Sequence, residues 1–125
     1  MIYGTGVDIV EIARIRRSLE KYSERFQNKI FTPGEIDYCR SRAEPARHFA
    51  ARFAVKEAVM KCLGLGMDQG IGWKDIEVLL KDTGKPFLNV SGKARENFDR
   101  LNLKTIHISI SHEKEYAIAH ALAEQ

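Results

Sequence analysis

The stretch Pro45-Ala46-Arg47-His48-Phe49-Ala50-Ala51-Arg52-Phe53-Ala54-Val55-Lys56-Glu57-Ala58-Val59-Met60-Lys61-Cys62-Leu63-Gly64 decides how the rest of the chain is arranged. Proline suits the first turn of a helix, where its missing N–H is not needed, and glycine suits the position just past the end. Between Pro45 and Gly64 lie good helix formers and no breaker, so the spacing predicts one helix. Ala46, Phe49, Ala50, Phe53, Met60 and Leu63 recur at helical spacing and mark a buried stripe. Ala51, Val55, Ala58, Val59 and Cys62 make the other side apolar as well. A helix apolar nearly all round is a central one. Lys56, Glu57 and Lys61 break that pattern, and a buried charge is costly unless it is paired or metal-bound. One reading pairs Glu57 with Lys61 at i, i+4. The other has Glu57 hold a cation while Lys56 and Lys61 face an anion.

Upstream, Met1 to Val10 reads as a strand. Gly4 and Gly6 share a face with Asp8, and glycine in a strand lets another backbone or a ligand come close. Asp8 is then either a site carboxylate or a cap for the helix that begins near Glu11. That helix, Glu11 to Tyr22, buries Ile12, Ile15 and Leu19 and loads its remaining surface with Arg14, Arg16, Arg17 and Lys21. Such a run is a solvated face or a docking surface for an acidic partner. Thr32-Pro33-Gly34-Glu35 has the spacing of a capping box opening a short helix that ends near Arg42.

Downstream, Gly64 to Gly72 is a glycine-rich connection without the Gly-Lys-Ser/Thr ending of a P-loop. Asp75–Leu80 and Pro86–Val90 read as strands joined by Asp82-Thr83-Gly84-Lys85-Pro86. A short helix runs from Ser91 to about Leu101, with Ala94 and Phe98 inward. Thr105 to His112 alternates as a strand, with Ile106, Ile108 and Ile110 on one face. Tyr116 to Leu122 returns to close a terminal hairpin. The expected class is α+β, a small, mostly antiparallel sheet packed on a long central helix.

The chain has 125 residues, which suits one domain with one core spanning 1–125. Hydrophobic content of 44% and charge of 30% fit an ordinary globule, and no apolar run is long enough to span a bilayer. The N-terminus lacks the pattern of a secretory signal. Cys39 and Cys62 have no metal-ligand spacing; Cys62 reads as a buried small hydrophobe and Cys39 as a spare thiol. The expectation is a reducing, cytoplasmic setting with no disulfide.

Asp8, Glu57, Lys61, the Gly84-Lys85-Pro86 turn and Ser111-His112 carry the chemistry. Two carboxylates can hold Mg²⁺ by two positions while water and substrate phosphates fill the others. Lys61 and Lys56 would face those phosphates. His112, at a strand end, is a solvated residue, a general base or a phosphate donor. Ser111 lacks the surroundings of a nucleophile elbow.

In Gly4-Thr5-Gly6-Val7-Asp8-Ile9-Val10-Glu11-Ile12, Arg52-Phe53-Ala54-Val55-Lys56-Glu57-Ala58, Gly84-Lys85-Pro86 and Ser109-Ile110-Ser111-His112, followed by Tyr116-Ala117-Ile118-Ala119, the chain resembles the small 4′-phosphopantetheinyl transferases, the holo-[acyl-carrier-protein] synthases. The resemblance covers the whole chain in order. It implies transfer of phosphopantetheine from coenzyme A to a serine of acyl carrier protein, with release of adenosine 3′,5′-bisphosphate, in fatty-acid synthesis. It further implies that Asp8 and Glu57 bind Mg²⁺ and that Lys61 contacts the diphosphate. Arg52, Gly64, Gly84, Lys85, Pro86 and His112 would lie around coenzyme A. Arg14, Arg17 and Lys21 would dock the acidic carrier, and the assembly would be a homotrimer with sites between subunits. Leu65 departs from the Thr or Ser that many members carry between the two glycines, so a hydroxyl contact is expected to be missing. Two other readings compete. One is a nucleotide-binding module without transfer. The other is a nucleic-acid binder, suggested by the basic first helix, but the sequence lacks the interleaved aromatic and basic residues of a single-strand platform. Neither nucleic acid nor membrane is an expected partner.

Overall fold

The computed structural model describes residues 1–125. The chain runs β1 (Ile2–Glu11), α1 (Ile12–Ile30), α2 (Pro33–Arg40), α3 (Pro45–Leu63), β2 (Ile76–Leu80), β3 (Pro86–Val90), α4 (Gly92–Arg100), β4 (Thr105–His112) and β5 (Tyr116–Glu124). Short 3₁₀ turns at Met67–Gln69 and Trp73–Asp75 link α3 to β2. The strands form two antiparallel sheets rather than one: β1-β5-β4, and the hairpin β2-β3.

The central helix is where its sequence puts it. Its C-terminus closes on Gly64 at φ 69°, the left-handed cap that glycine adopts without a Cβ penalty. One face of the three-stranded sheet packs on α3. Ala117, Ala119, Ala121 and Ala123 all point there and are buried. The approach is closest at β1, where a Cβ on Gly6 would lie 2.0 Å from the Ala58 carbonyl oxygen and one on Gly4 would lie 2.5 Å from that of Cys62. The two glycines therefore admit the backbone of α3, not a ligand.

The first helix is longer than the sequence suggests. It continues past Tyr22 to Ile30 across a kink at Ser23, whose φ of 47° and ψ of −127° are not helical. Ile12, Ile15 and Leu19 are buried as expected. The helix starts from Glu11 without a side-chain cap, so Asp8 is free of the capping role. Thr32 and Glu35 do form the reciprocal capping box of α2. Cys39 is no spare thiol: it is fully buried, and burial pushes it up to about 12, which leaves it unreactive.

Lys56 also departs from its expected place. It is wholly buried and faces no anion from solvent. Its ammonium donates to Glu35 Oε1 at 2.8 Å, to the Ile76 carbonyl at 2.6 Å and to the Trp73 carbonyl at 3.0 Å. All three N–H donors are thus satisfied. Glu35 in turn accepts the backbone N–H groups of Thr32 and Val78, both at 2.9 Å. One buried ion pair therefore ties α3 to α2 and to the β2–β3 hairpin.

Candidate active site

Two groups of functional side chains converge, on different sides of α3. The first lies between α3 and β1. Asp8 is largely covered, and Lys61 reaches across from α3 to donate to its Oδ1 and to the Val7 carbonyl, each at 3.1 Å. The pairing of Glu57 with Lys61 along the helix is therefore not the one formed. Glu57 is half-buried, and burial, with the nearby Asp8 charge second, pushes its carboxyl above the ordinary range. Lys61 and Arg14 pull it back in part. Asp8 and Glu57 thus feel each other, and Arg14 at the start of the basic stripe feels both the site and the surface. Two carboxylates and no further acidic, histidine or cysteine side chain converge here. That donor set fits a hard, reluctantly dehydrated cation such as Mg²⁺, which keeps water and takes phosphate oxygens in its other positions.

The second group is a cleft of about 320 Å³ lined by Tyr38, His48, Arg52, Gly84, Pro86 and His112, among others. Four of the expected coenzyme A residues, Arg52, Gly84, Pro86 and His112, meet here although they come from α3, the β2–β3 turn and the end of β4. Gly84 takes φ 88° in that turn, a conformation that favours glycine. Lys85 is exposed in the same turn and does not line the cleft, nor does Gly64 at the end of α3. Arg52 is 4% exposed and stacks its guanidinium 4.2 Å over the Tyr38 ring. Its Nη1 donates weakly to the His48 carbonyl at 3.4 Å, and its buried Nε has no partner. No carboxylate lines the cleft. Tyr38 and His48 escaped sequence reasoning. The only signal was that His48 lies one turn before Arg52 on the same helix.

Arg52 and Glu57 are five residues apart on α3, which is about 140° around its axis. The cleft and the carboxylate pair are consequently separate in one copy of the chain. On the basic stripe, Arg14, Arg17 and Lys21 are all exposed, and Arg17 lies 3.6 Å from Glu11.

The sequence profile of the 4′-phosphopantetheinyl transferase superfamily matches residues 4–121, and the chain belongs to that superfamily. It is similar to the holo-[acyl-carrier-protein] synthase of Syntrophus aciditrophicus, 46% identical over 99% of this chain and 97% of that one. Similarity to the synthase of Geobacter sp. strain M21 is 46% identity over the whole of both chains. Among solved structures, the synthase of Neisseria meningitidis superimposes with a TM-score of 0.92 at 30% identity, covering 100% of each chain. The Helicobacter pylori synthase, in complex with coenzyme A, gives 0.85 at 30% identity over 96% of this chain and 99% of that one.

Proposed function

We propose that this chain transfers 4′-phosphopantetheine from coenzyme A to a serine of acyl carrier protein, acting as a holo-[acyl-carrier-protein] synthase. The observation that carries the reading is the convergence of Arg52, Gly84, Pro86 and His112 on one acid-free cleft, with an Asp8–Glu57 pair and Lys61 on the same fold. Sequence identity of 46% over nearly the full length supports the same activity.

The serine oxygen forms a bond to the phosphorus that carries pantetheine, and the phosphorus–oxygen bond to the adenosine phosphate breaks. Adenosine 3′,5′-bisphosphate leaves. The cleft residues Arg52 and His112 hold the nucleotide end, with Pro86 and Gly84 as its wall. Lys61, exposed and tethered only to β1, can swing its ammonium from Asp8 to the leaving phosphate. The serine proton passes to a carboxylate of the pair or to water held beside it. Asp8 and Glu57 would hold Mg²⁺, whose charge favours the phosphorus centre losing its leaving group.

The cleft and the carboxylate pair lie on different sides of α3, so a coenzyme A bound to both is best served by two copies of the chain. The sheet face away from α3 leaves Val7, Ile9, Tyr116 and Ile118 exposed on β1 and β5; this apolar patch supports assembly, and we read it as the contact of a homotrimer with sites between subunits. Arg14, Arg17 and Lys21 form the docking stripe for the acidic carrier. Both cysteines are free and buried, in keeping with a reducing cytoplasmic setting.

The test is mass spectrometry of apo acyl carrier protein incubated with coenzyme A, Mg²⁺ and the protein. The carrier gains the mass of phosphopantetheine with the wild type and almost none with Asp8→Ala. Arg17→Glu raises the KM for the carrier about tenfold, since one repelling pair costs on the order of 1.4 kcal/mol, and leaves the KM for coenzyme A nearly unchanged. No mass gain with the wild type overturns the transfer in favour of a binding module. Full activity in Asp8→Ala removes Asp8 from the site.

A further inference from the structure

The acid-free cleft contains one side chain whose role the transfer reaction leaves open. His48 lies half-buried on α3, its ring 5.7 Å from the ring of His112 on β4 and 5.7 Å from that of Tyr38 on α2. Arg52 is one turn further along, with its Nε buried and unpartnered in the cleft wall. An orphaned guanidinium N–H and two imidazoles around acid-free space suit a doubly negative phosphate monoester. They do not suit a neutral group.

The surroundings of His48 are one-signed. Arg47 and Arg52 come from its own helix, Arg42 from the connection before it and His112 from β4. Tyr38 faces it from α2, and the β2–β3 hairpin contributes Leu80, Gly84 and Pro86, which are uncharged. Glu44 pairs with Arg47, Glu113 accepts backbone N–H groups, and no carboxylate is among the charges that shift His48. Burial first, then the charges of Arg52 and His112, pull His48 below the ordinary histidine value. Both effects favour the neutral imidazole while the cleft is empty. An entering phosphate reverses the local sign and favours the imidazolium.

We infer that His48 takes up a proton when a phosphate monoester enters the cleft and then holds that phosphate together with Arg52. One proton comes from solvent per phosphate bound and returns to solvent on release, with no other bond made or broken. The inference rests on the reading of this cleft as the nucleotide end of the coenzyme A site. It makes affinity for coenzyme A and for its bisphosphate product fall as pH rises, because the bound state then loses the proton that binding recruits.

Calorimetric titration with adenosine 3′,5′-bisphosphate, between pH 7 and 8.5 in buffers of different ionisation enthalpy, reads the proton directly. In this range each phosphate monoester is already about nine-tenths ionised or more, its second pKa being about 6, so its own titration contributes little. The wild type takes up about three-quarters of a proton per bisphosphate at pH 7, and its Kd rises about fivefold towards pH 8.5. His48→Gln loses both the uptake and the pH slope and binds more weakly at pH 7. The imidazole C–H resonance missing from His48→Gln spectra identifies His48 in the wild type by NMR, and its titration moves to higher pH with bisphosphate bound. Binding without proton uptake, or with the same uptake in His48→Gln, overturns the role of His48 and leaves the cleft as the nucleotide site. Binding unaltered in both Arg52→Gln and His48→Gln places the nucleotide elsewhere and overturns both. Absence of binding to the wild type overturns both as well.

Discussion

Glu57 holds its proton more tightly than an ordinary glutamate because it is half-buried beside Asp8. A carboxyl whose folded-state pKa lies above its unfolded one contributes stability that is complete below the unfolded value. That contribution is lost as pH rises through the folded value. At neutral pH the ionised Glu57 therefore works against folding and in favour of cation binding. Glu57→Gln is expected to raise the melting temperature at pH 7 by on the order of 1–3 °C in the absence of metal. The gain disappears near pH 4, where the glutamate is protonated as well. The same substitution lowers transfer by on the order of a hundredfold or more. Calorimetric melting at the two pH values, with transfer rates beside them, separates this from a simple folding defect. A lower melting temperature at pH 7 would mean that Glu57 makes a stabilising contact instead.

At the scale of the element, α3 acts as a strut with different duties on each side. Glu57 and Lys61 serve β1, Arg52 and His48 serve the cleft, and Lys56 holds the architecture. Burying an ion pair is not by itself a source of stability, but removing one partner leaves an uncompensated charge. Lys56→Met strands Glu35 in the core and also frees the carbonyls of Trp73 and Ile76. The expected loss is about 3–5 kcal/mol. Combining Lys56→Met with Glu35→Gln removes the stranded charge and recovers half or more of it. Urea unfolding of the two single variants and the double variant measures the coupling. Equal losses in Lys56→Met and the double variant would show that packing, not charge, sets the cost.

Over the whole molecule, the sheet has one covered face and one open face. The alanines of β5 lie on the covered face, against α3, so they do not make a contact surface. On the open face Val7, Ile9, Tyr116 and Ile118 are exposed at 51%, 62%, 42% and 40%, and they lie side by side on β1 and β5. A patch of this kind on paired strands marks an interaction surface. If it joins the copies of a homotrimer, Ile118→Glu places charges together in the contact. Light scattering should then find a third of the wild-type mass, with the far-ultraviolet circular dichroism unchanged and transfer lost with the shared sites. Unchanged mass and activity would take this face out of the assembly. No helix of the chain is long and apolar enough to cross a membrane.

Most elements were legible because they are signalled locally, although the run of α1 beyond Tyr22, across the kink at Ser23, was not. Pro45 and Gly64 bracket α3, Thr32 and Glu35 cap α2, and the alternation in Thr105–His112 marks β4. Asp8 and Glu57 stood out because a carboxylate in an apolar pattern needs a reason wherever the chain goes. Periodicity reports which side of its own element a residue occupies, and nothing about what arrives opposite. The tertiary structure alone decided that Lys56 meets Glu35, 21 residues away, rather than a phosphate. It alone carried Lys61 to Asp8, 53 residues away, instead of to Glu57 one turn back. The cleft is likewise a product of packing, since Tyr38, His48, Arg52, Gly84, Pro86 and His112 come from four separate stretches of chain. Local propensity fixes elements one at a time, whereas the partner of a charge is set by which elements bury their apolar faces against each other.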